Sequence, residues 1–447
     1  MVSNHDKVFS IYGLGNVGGP IAAAWLRAGA KIVGVDISKK LLSEIESGTS
    51  HKKEPFLSET FTAGLKSGGF SVTSDGVKAS KMSDIKIVAV PVDLSGNKIR
   101  LEALKSASKN IAQGLKKGDA VLICPSMPPG TCERTVLPIL EKYSKLKGGK
   151  DFLLIYNPER IYEGRALQDI EENYPAVVAG LGEESKRFGE ELLKIISKKG
   201  VITMSSIANA EAEKIFEGVY RDVNIALANE LADFCERMGV NYWEARKAAN
   251  SQPFCHLHYP GTGVGGLCIP VYPKFVIESA SKTGKHLRIT EFARKLNDSM
   301  PIKCVNDSID LLSKHKIRPK GAKVAVLGLG FRGEVEDSRL SPTYTVVKEF
   351  LKRGCKVAVH DPYILEDGLL PSSVTLSSNL DSVVENASLV FVSSDHKAYY
   401  NLDQKSLGKA REPLLVFDGR NILKKENFRN GSLLTIGMRE LDKRSKA

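Results

Sequence analysis

The chain has 447 residues, enough for two or three domains with separate cores, and its 42% hydrophobic and 26% charged content is that of a globular protein. No apolar run approaches the roughly 20 residues of a membrane helix. The first residues carry no signal-peptide pattern, so a cytoplasmic protein without a membrane partner is expected. The formal charge of +12 is spread over lysine-bearing stretches with no aromatic platform or basic arm, which argues against a nucleic-acid partner and fits an anionic small molecule.

The first element pair is "KVFSIYGLGNVGGPIAAAWLRAGAKIVGVDIS". An apolar run ends in a GxGxxG at Gly13, Gly15 and Gly18; an alanine-rich helical stretch follows, then a second strand closed by Asp36, 18 residues beyond Gly18. Placed between strand and helix, the pattern is a dinucleotide fingerprint. Gly13 permits the tight turn, Gly15 lets backbone approach a pyrophosphate, and Gly18 lets helix pack on strand, with Asn16 and Val17 between them. The helix N-terminus then faces the phosphates, and Asp36 can accept from a ribose diol, which favours NAD over NADP. Further strand-like runs, "DIKIVAVPV" with Pro91, "DAVLICPS" with Ser126 and "FLLIYNPE" with Glu159, alternate with helical stretches to about residue 205.

A long helical stretch comes next. Its apolar residues Ile215, Val219, Val223, Ala226, Leu227, Leu231 and Phe234 recur at helical spacing around much of the circumference. That predicts a largely buried helix, linking domains or subunits and stopped by Gly239. "GTGVGGLCIPVYPKF" then sets glycines just ahead of Cys268. Such a loop either turns tightly or lets backbone touch a ligand beside a reactive sulfur. The seven cysteines are scattered, with no CxxC pair, so neither a zinc site nor a disulfide framework is expected. A small buried hydrophobe is the usual fate of such a thiol. Near Lys320 a second α/β unit begins, with another GxGxxG at Gly328, Gly330 and Gly333 and another acid, Asp361, after its next strand. The fold class predicted is α/β: two Rossmann-like doubly wound domains joined by a long central helix.

The ordered set of N-terminal GxGxxG, "NPERIYEGRALQD", "EKIFEGVYRDVNIALANELA", "GTGVGGLCIPVYP", "GLGFRGEVEDSRLSP" and "FDGRN" resembles the UDP-glucose/GDP-mannose dehydrogenase family across nearly the whole chain. Within it, the likeness is nearest to the branch that oxidises UDP-N-acetylhexosamines. The resemblance implies an NAD-binding domain at 1–205, a central helical domain with the cysteine loop and a dimerisation surface at 206–315, and a UDP-binding domain at 316–447. It implies a four-electron oxidation of a sugar C6 alcohol to a uronate for polysaccharide or glycan assembly, most closely of UDP-N-acetylmannosamine, in a homodimer or higher homo-oligomer. UDP-glucose, UDP-N-acetylglucosamine and a non-catalytic nucleotide-sugar-binding protein are the alternatives.

By the same resemblance, Cys268 is the nucleophile that forms a thiohemiacetal and then a thioester. Lys214 stabilises an oxyanion or takes a proton, although a solvated helix face is the common fate of lysine. Glu159 assists hydrolysis. Glu163 binds sugar or a water, sharing a face with Glu159 only if that segment is helical. Arg339 and Arg420 match phosphate-holding or domain-crossing positions, Arg339 being assigned to the cofactor and Arg420 to the substrate; each can instead pair with Asp337 or Asp418. Arg221, Tyr259, Gly261, Gly265, Gly266, Tyr272, Phe331 and Arg332 are expected to line the sugar-nucleotide site. The chain also departs from the family. Gly218 stands where Asn is usual, Tyr272 where Asp is, and Met127 where Thr is, all expected around the reacting carbon, and Leu267 replaces a histidine of the hexosamine branch.

Overall fold

The computed structural model describes residues 7–49, 54–96, 98–428 and 431–438; the first six residues, whose sequence lacks a signal-peptide pattern, lie outside them. The chain divides into two compact units, one of Met1–Glu217 with Lys274–Thr283 and one of Gly218–Pro273 with Gly284–Ala447. The boundary falls inside the long helix Ile207–Met238.

The first unit carries β1 (Val8–Tyr12), β2 (Lys31–Val35), β3 (Phe70–Thr73), β4 (Ile85–Val88), the hairpin strands β5 (Asp93–Ser95) and β6 (Lys98–Arg100), then β7 (Ala120–Ile123), β8 (Leu153–Tyr156), β9 (Ala176–Gly180) and β10 (Val201–Thr203). Eight of them form one sheet in the order β10-β9-β8-β7-β4-β1-β2-β3, parallel except at the β8–β9 pair. Strand order therefore reverses between β1 and β4, and such switch points open a ligand crevice at the strands' carboxyl ends. Alternation along the strands splits the core between two faces. Phe9, Ile11, Ile32 and Ile87 pack with Ala22, Ala23 and Trp25 of the helix Gly18–Arg27. Tyr12, Val33, Val35 and Val88 pack on the other side with Leu104 and Ile111 of the helix Glu102–Gly114.

The second unit repeats the plan with β11 (Lys323–Leu327), β12 (Lys356–His360), β13 (Thr375–Ser377), β14 (Leu389–Val392), β15 (Leu415–Asp418) and β16 (Ser432–Thr435). They form a six-stranded sheet, β13-β12-β11-β14-β15-β16, with every pair parallel. Two Rossmann-like sheets and the long helix between them in sequence are thus present, as the sequence predicts, together with a second long helix, Arg288–Lys314.

The helix Ile207–Met238 ends one residue before Gly239, whose φ of 70° stops it. It is not buried all round. Leu227 and Phe234, expected inside, are 41% and 55% exposed, and Tyr220 and Met238 are exposed too. The residues that pack within the second unit are small or polar instead, among them Asp222, Ala228, Asn229, Ala232 and Glu236. The apolar pattern therefore reports two jobs, with large side chains turned outward.

Candidate active site

In the first unit the glycine loop leaves β1 and enters the helix Gly18–Arg27 directly. Gly13 has φ of 88°, and a Cβ there would lie 2.9 Å from the Ala89 carbonyl oxygen beyond β4. A Cβ on Gly18 would overlap the Gly13 carbonyl oxygen, so helix and turn touch only because both are glycine. Gly15 is different: nothing of the protein lies within 4 Å of where its Cβ would be. Asp36, half-buried at the end of β2, accepts from the Leu14 N–H at 2.9 Å and the Ser38 N–H at 2.9 Å. Val17 precedes the helix and Pro91 lies exposed past β4. Ser126 Oγ, past β7, is buried with no hydrogen-bond partner among the described residues.

A charged cluster lies past β8 and on the long helix of the same unit. Residues 157–163 are not helical, so Glu159 and Glu163 share no helix face. Glu163 meets Asn16 of the glycine loop, whose Nδ2 donates to it at 3.5 Å. Glu159 accepts from the Ile161 N–H. Burial pushes its carboxyl above the ordinary value, against the pull of the Lys214 ammonium and that N–H. Glu159 also lines a cavity with Trp25, Leu122 and Cys124, which explains the desolvation. Lys214 is only 7% exposed and lies 3.7 Å from Glu217 Oε2. Arg160 bridges Glu217 at 2.8 Å and Glu213 at 3.8 Å. Burial, then the adjacent Glu217 carboxylate, raises Glu213 to about 7 against Arg160.

In the second unit the cysteine loop is held from three sides. Asn229 Oδ1 accepts from the Gly261 N–H at 2.9 Å, and Asn229 Nδ2 donates to Asn297 Oδ1 at 2.9 Å. Asn297 donates in turn to Asp222, which pairs with Arg294. Gly265 and Gly266 lie against Phe331, where Cβ atoms would stand 2.6 and 2.9 Å from its side chain. The Gly266 N–H donates to the Arg339 carbonyl at 3.0 Å. Gly261 faces Arg420, whose guanidinium bonds Asp395 at 3.2 Å rather than Asp418; its backbone N–H goes to Asp418. Arg339 forks onto Asp337, at 2.8 and 3.0 Å from Nε. Tyr259 is exposed, with the Arg246 guanidinium 3.9 Å from its ring centroid. Arg221 is exposed and Arg332 half-buried.

Among the described cysteines Cys268 alone is exposed; five are buried and Cys255 is intermediate. Its carbonyl accepts from the Val271 and Tyr272 N–H groups, so the chain folds back at once into the helix Tyr272–Ser281. Tyr272 is 7% exposed, and its hydroxyl lies 3.4 Å from Cys268 Sγ. A Cβ on Gly218 would stand 2.5 Å from Tyr272 Cδ2 and 3.0 Å from its Cβ. Met127 is fully buried in the first unit's core with Cys132, Val136 and Ala210. It offers no side chain to a ligand, contrary to its expected place around the reacting carbon. Its apolar length fills the core instead.

Three family models of the UDP-glucose/GDP-mannose dehydrogenase family match in order: the NAD binding domain over residues 7–197, the central domain over 208–299 and the UDP binding domain over 325–425. The chain belongs to this family. It is 33% identical over 415 residues to the UDP-N-acetyl-D-mannosamine dehydrogenase of Pyrococcus horikoshii, covering 93% of this chain and 96% of that one. It is 33% identical to the protein of the same name from Methanocaldococcus jannaschii, over 94% of this chain and 93% of that one. The solved structure of the Pyrococcus horikoshii enzyme matches with a TM-score of 0.89 at 31% identity, over 97% of this chain and 100% of that one. A UDP-glucose dehydrogenase from Pyrobaculum islandicum matches with a TM-score of 0.88 at 25% identity, over 98% and 100%.

This family member is an NAD-dependent nucleotide-sugar dehydrogenase. The first unit fits the cofactor. The open space at Gly15, the helix N-terminus at Gly18, the Asp36 carboxylate and the orphaned Ser126 hydroxyl are the features a dinucleotide would use. The supports of these loops stand apart from the residues expected from the sequence. Glu54 accepts from the Gly164 and Ala166 N–H groups at 2.7 and 2.6 Å and pins the loop after Glu159. Glu211 accepts from Gly130 and from Cys132 at 2.8 Å and pins the turn after Ser126. A buried glutamate on an otherwise apolar helix face is the one local signal that would have marked Glu211.

Proposed function

We propose that this chain oxidises the C6 alcohol of UDP-N-acetylmannosamine to the carboxylate through a cysteine thioester. The observation that carries the reading is the Cys268 thiol, exposed at the end of a glycine loop while the other cysteines are wholly or partly withdrawn. The relatives named for that sugar support the choice of substrate. Bound NAD supplies a hydride acceptor at each of two oxidations. Lys214, only 7% exposed, donates to the C6 oxygen as an ammonium while the hydroxyl proton passes to water. Cys268 sulfur adds to the resulting aldehyde carbon; the carbonyl electron pair moves to oxygen and takes a proton, giving a thiohemiacetal. The second oxidation leaves a thioester. Glu159 takes a proton from water as that water attacks, the C–S bond breaks, and the thiol is restored with the carboxylate. Burial raises the Glu159 carboxyl above its ordinary value, which makes its carboxylate a better proton acceptor.

Arg420, Arg332, Tyr259 and Phe331, with the backbone at Gly261, Gly265 and Gly266, are proposed to hold the UDP-sugar, and Arg339 and Pro91 to contribute to the cofactor side. The outward Tyr220, Leu227 and Phe234 of the long helix support a homodimer, since large apolar side chains at helical spacing favour a partner. The odd number of scattered cysteines, with no CxxC pair, supports a reducing, cytoplasmic setting. Purified protein with NAD and UDP-N-acetylmannosamine, UDP-N-acetylglucosamine, UDP-glucose or GDP-mannose tests the reading. Two NADH per UDP-N-acetylmannosamine are expected, with acid formation lost in Cys268→Ala. Two NADH with another sugar alone would reassign the substrate. UDP-sugar binding without NADH would favour the non-catalytic reading, for which the Tyr272 and Gly218 departures are the observation.

A further inference from the structure

Tyr272 and Gly218 are separate departures in sequence, yet they meet in the second unit. The ring of Tyr272 occupies the space that any side chain at Gly218 would need, with Cδ2, Cβ and Cγ at 2.5, 3.0 and 3.1 Å from a Cβ there. These are atoms near the root of the side chain, so the ring cannot yield by a small rotation of its tip. The hydroxyl at the far end lies 3.4 Å from Cys268 Sγ, within reach of a hydrogen bond to sulfur. The same residue's N–H donates to the Cys268 carbonyl at 2.9 Å, so the backbone sets the two residues one turn apart, with both side chains on one side. Tyr272 is 7% exposed, which limits alternative rotamers of the ring.

We propose that Tyr272 is a catalytic residue whose hydroxyl donates a hydrogen bond to the Cys268 thiolate, and that Gly218 is the positioning residue that makes room for its ring. A phenol is a neutral donor; it stabilises an anion without contributing the negative charge that a carboxylate would bring beside sulfur. The pair of departures is then one coupled change. Glycine is an unfavourable residue inside a helix, and the ring that fills its place is the reason for it here. The inference rests on the reading of Cys268 as nucleophile, but it is testable without turnover.

The experiment is iodoacetamide alkylation of the full chain across pH, following the Cys268 peptide, with Cys268→Ala as the blank. Tyr272→Phe keeps the ring and removes the donor. Its Cys268 is expected to react about tenfold more slowly at neutral pH, the size of one charge-assisted hydrogen bond, with the profile moved to higher pH. Gly218→Ala displaces the ring and is expected to move the profile in the same direction. Combining Gly218→Asn with Tyr272→Asp tests the coupling, since the pair is expected to retain more NADH formation than either change alone. Superimposed alkylation profiles for wild type and Tyr272→Phe would overturn the proposal, whatever the enzyme turns over. Absence of NADH with every sugar, alongside a displaced Tyr272→Phe profile, would instead overturn the functional reading and leave the thiol contact standing.

Discussion

The two units carry the same signature, a strand, a GxGxxG and an acid at the end of the next strand, and build different things from it. After β1 the glycines run straight into a helix, and Gly15 faces open space. After β11 residues 331–342 intervene before the helix Thr343–Lys352. Gly330 there faces the chain's own carbonyls of Arg332, Val335 and Asp337. The acids diverge in the same way. Asp36 is half-buried and bonded to Leu14 and Ser38. Asp361 is fully buried and accepts from Leu329, Gly330, Tyr363 and Ile364, with His396 Nε2 at 3.3 Å. Burial would raise its carboxyl, but the His396 contact and these N–H groups hold it at about 2. The motif fixes a turn; the residues that follow decide whether a phosphate or the protein's own backbone occupies it.

Breaking the first turn should have the largest effect. Gly18→Ala forces helix and turn apart, and a loss of several kcal/mol of stability in the first unit is expected by thermal unfolding, with NAD binding abolished. Gly15→Ala sharpens the point. The protein has room for the methyl but a pyrophosphate would not, so unfolding should be unchanged while NAD affinity falls at least tenfold; Gly330→Ala should leave NAD affinity alone.

The acids give the next contrast. Asp361→Asn replaces a fully bonded carboxylate and should cost roughly 3 kcal/mol of stability without touching NAD affinity. Asp36→Ala should do the reverse, weakening NAD by roughly 1–3 kcal/mol, narrowing the preference over NADP and sparing stability, as read by titration and unfolding.

The smallest effect separates the units by the sign of their pH dependence. Asp361 titrates lower folded than unfolded, so its stabilisation, about 2 kcal/mol, is complete above pH about 4 and is lost as pH falls toward about 2. Glu211 behaves oppositely. Burial raises it to about 7 despite the Cys132 and Gly130 N–H groups, so its contribution is complete below pH about 4 and is lost as pH rises through about 7. Glu211→Gln should flatten that neutral-side decline in a urea unfolding series, and Asp361→Asn the acid-side one.

Much of this was legible in the chain. Gly13, Gly15, Gly18 and Asp36 announce a dinucleotide turn because their spacing is local and each glycine has a steric reason. The stop at Gly239 is readable for the same cause. The supports were not legible. Asn229 reaches Gly261 and Asn297, Asp222 reaches Arg294, and Glu54 reaches Gly164, each across a long stretch of intervening chain with no period to betray it. The long helix misled because Leu227 and Phe234 obey helical spacing while facing outward. Spacing reports an apolar face and not what covers it. Met127 reads as a departure near the chemistry but lies in the core, since sequence order places a residue beside a site without saying where its side chain turns.

The central claim is that the sugar becomes covalently attached to Cys268 after the first oxidation and remains there as a thioester after the second. Acid-quenching the wild-type protein during turnover with NAD and UDP-N-acetylmannosamine, then weighing the peptide that contains Cys268, tests it most directly. The account predicts that this peptide gains the mass of the oxidised UDP-sugar acyl group, and that the gain disappears in Cys268→Ala along with acid formation. An unmodified Cys268 peptide at every quench time, together with two NADH per sugar persisting in Cys268→Ala, would contradict it.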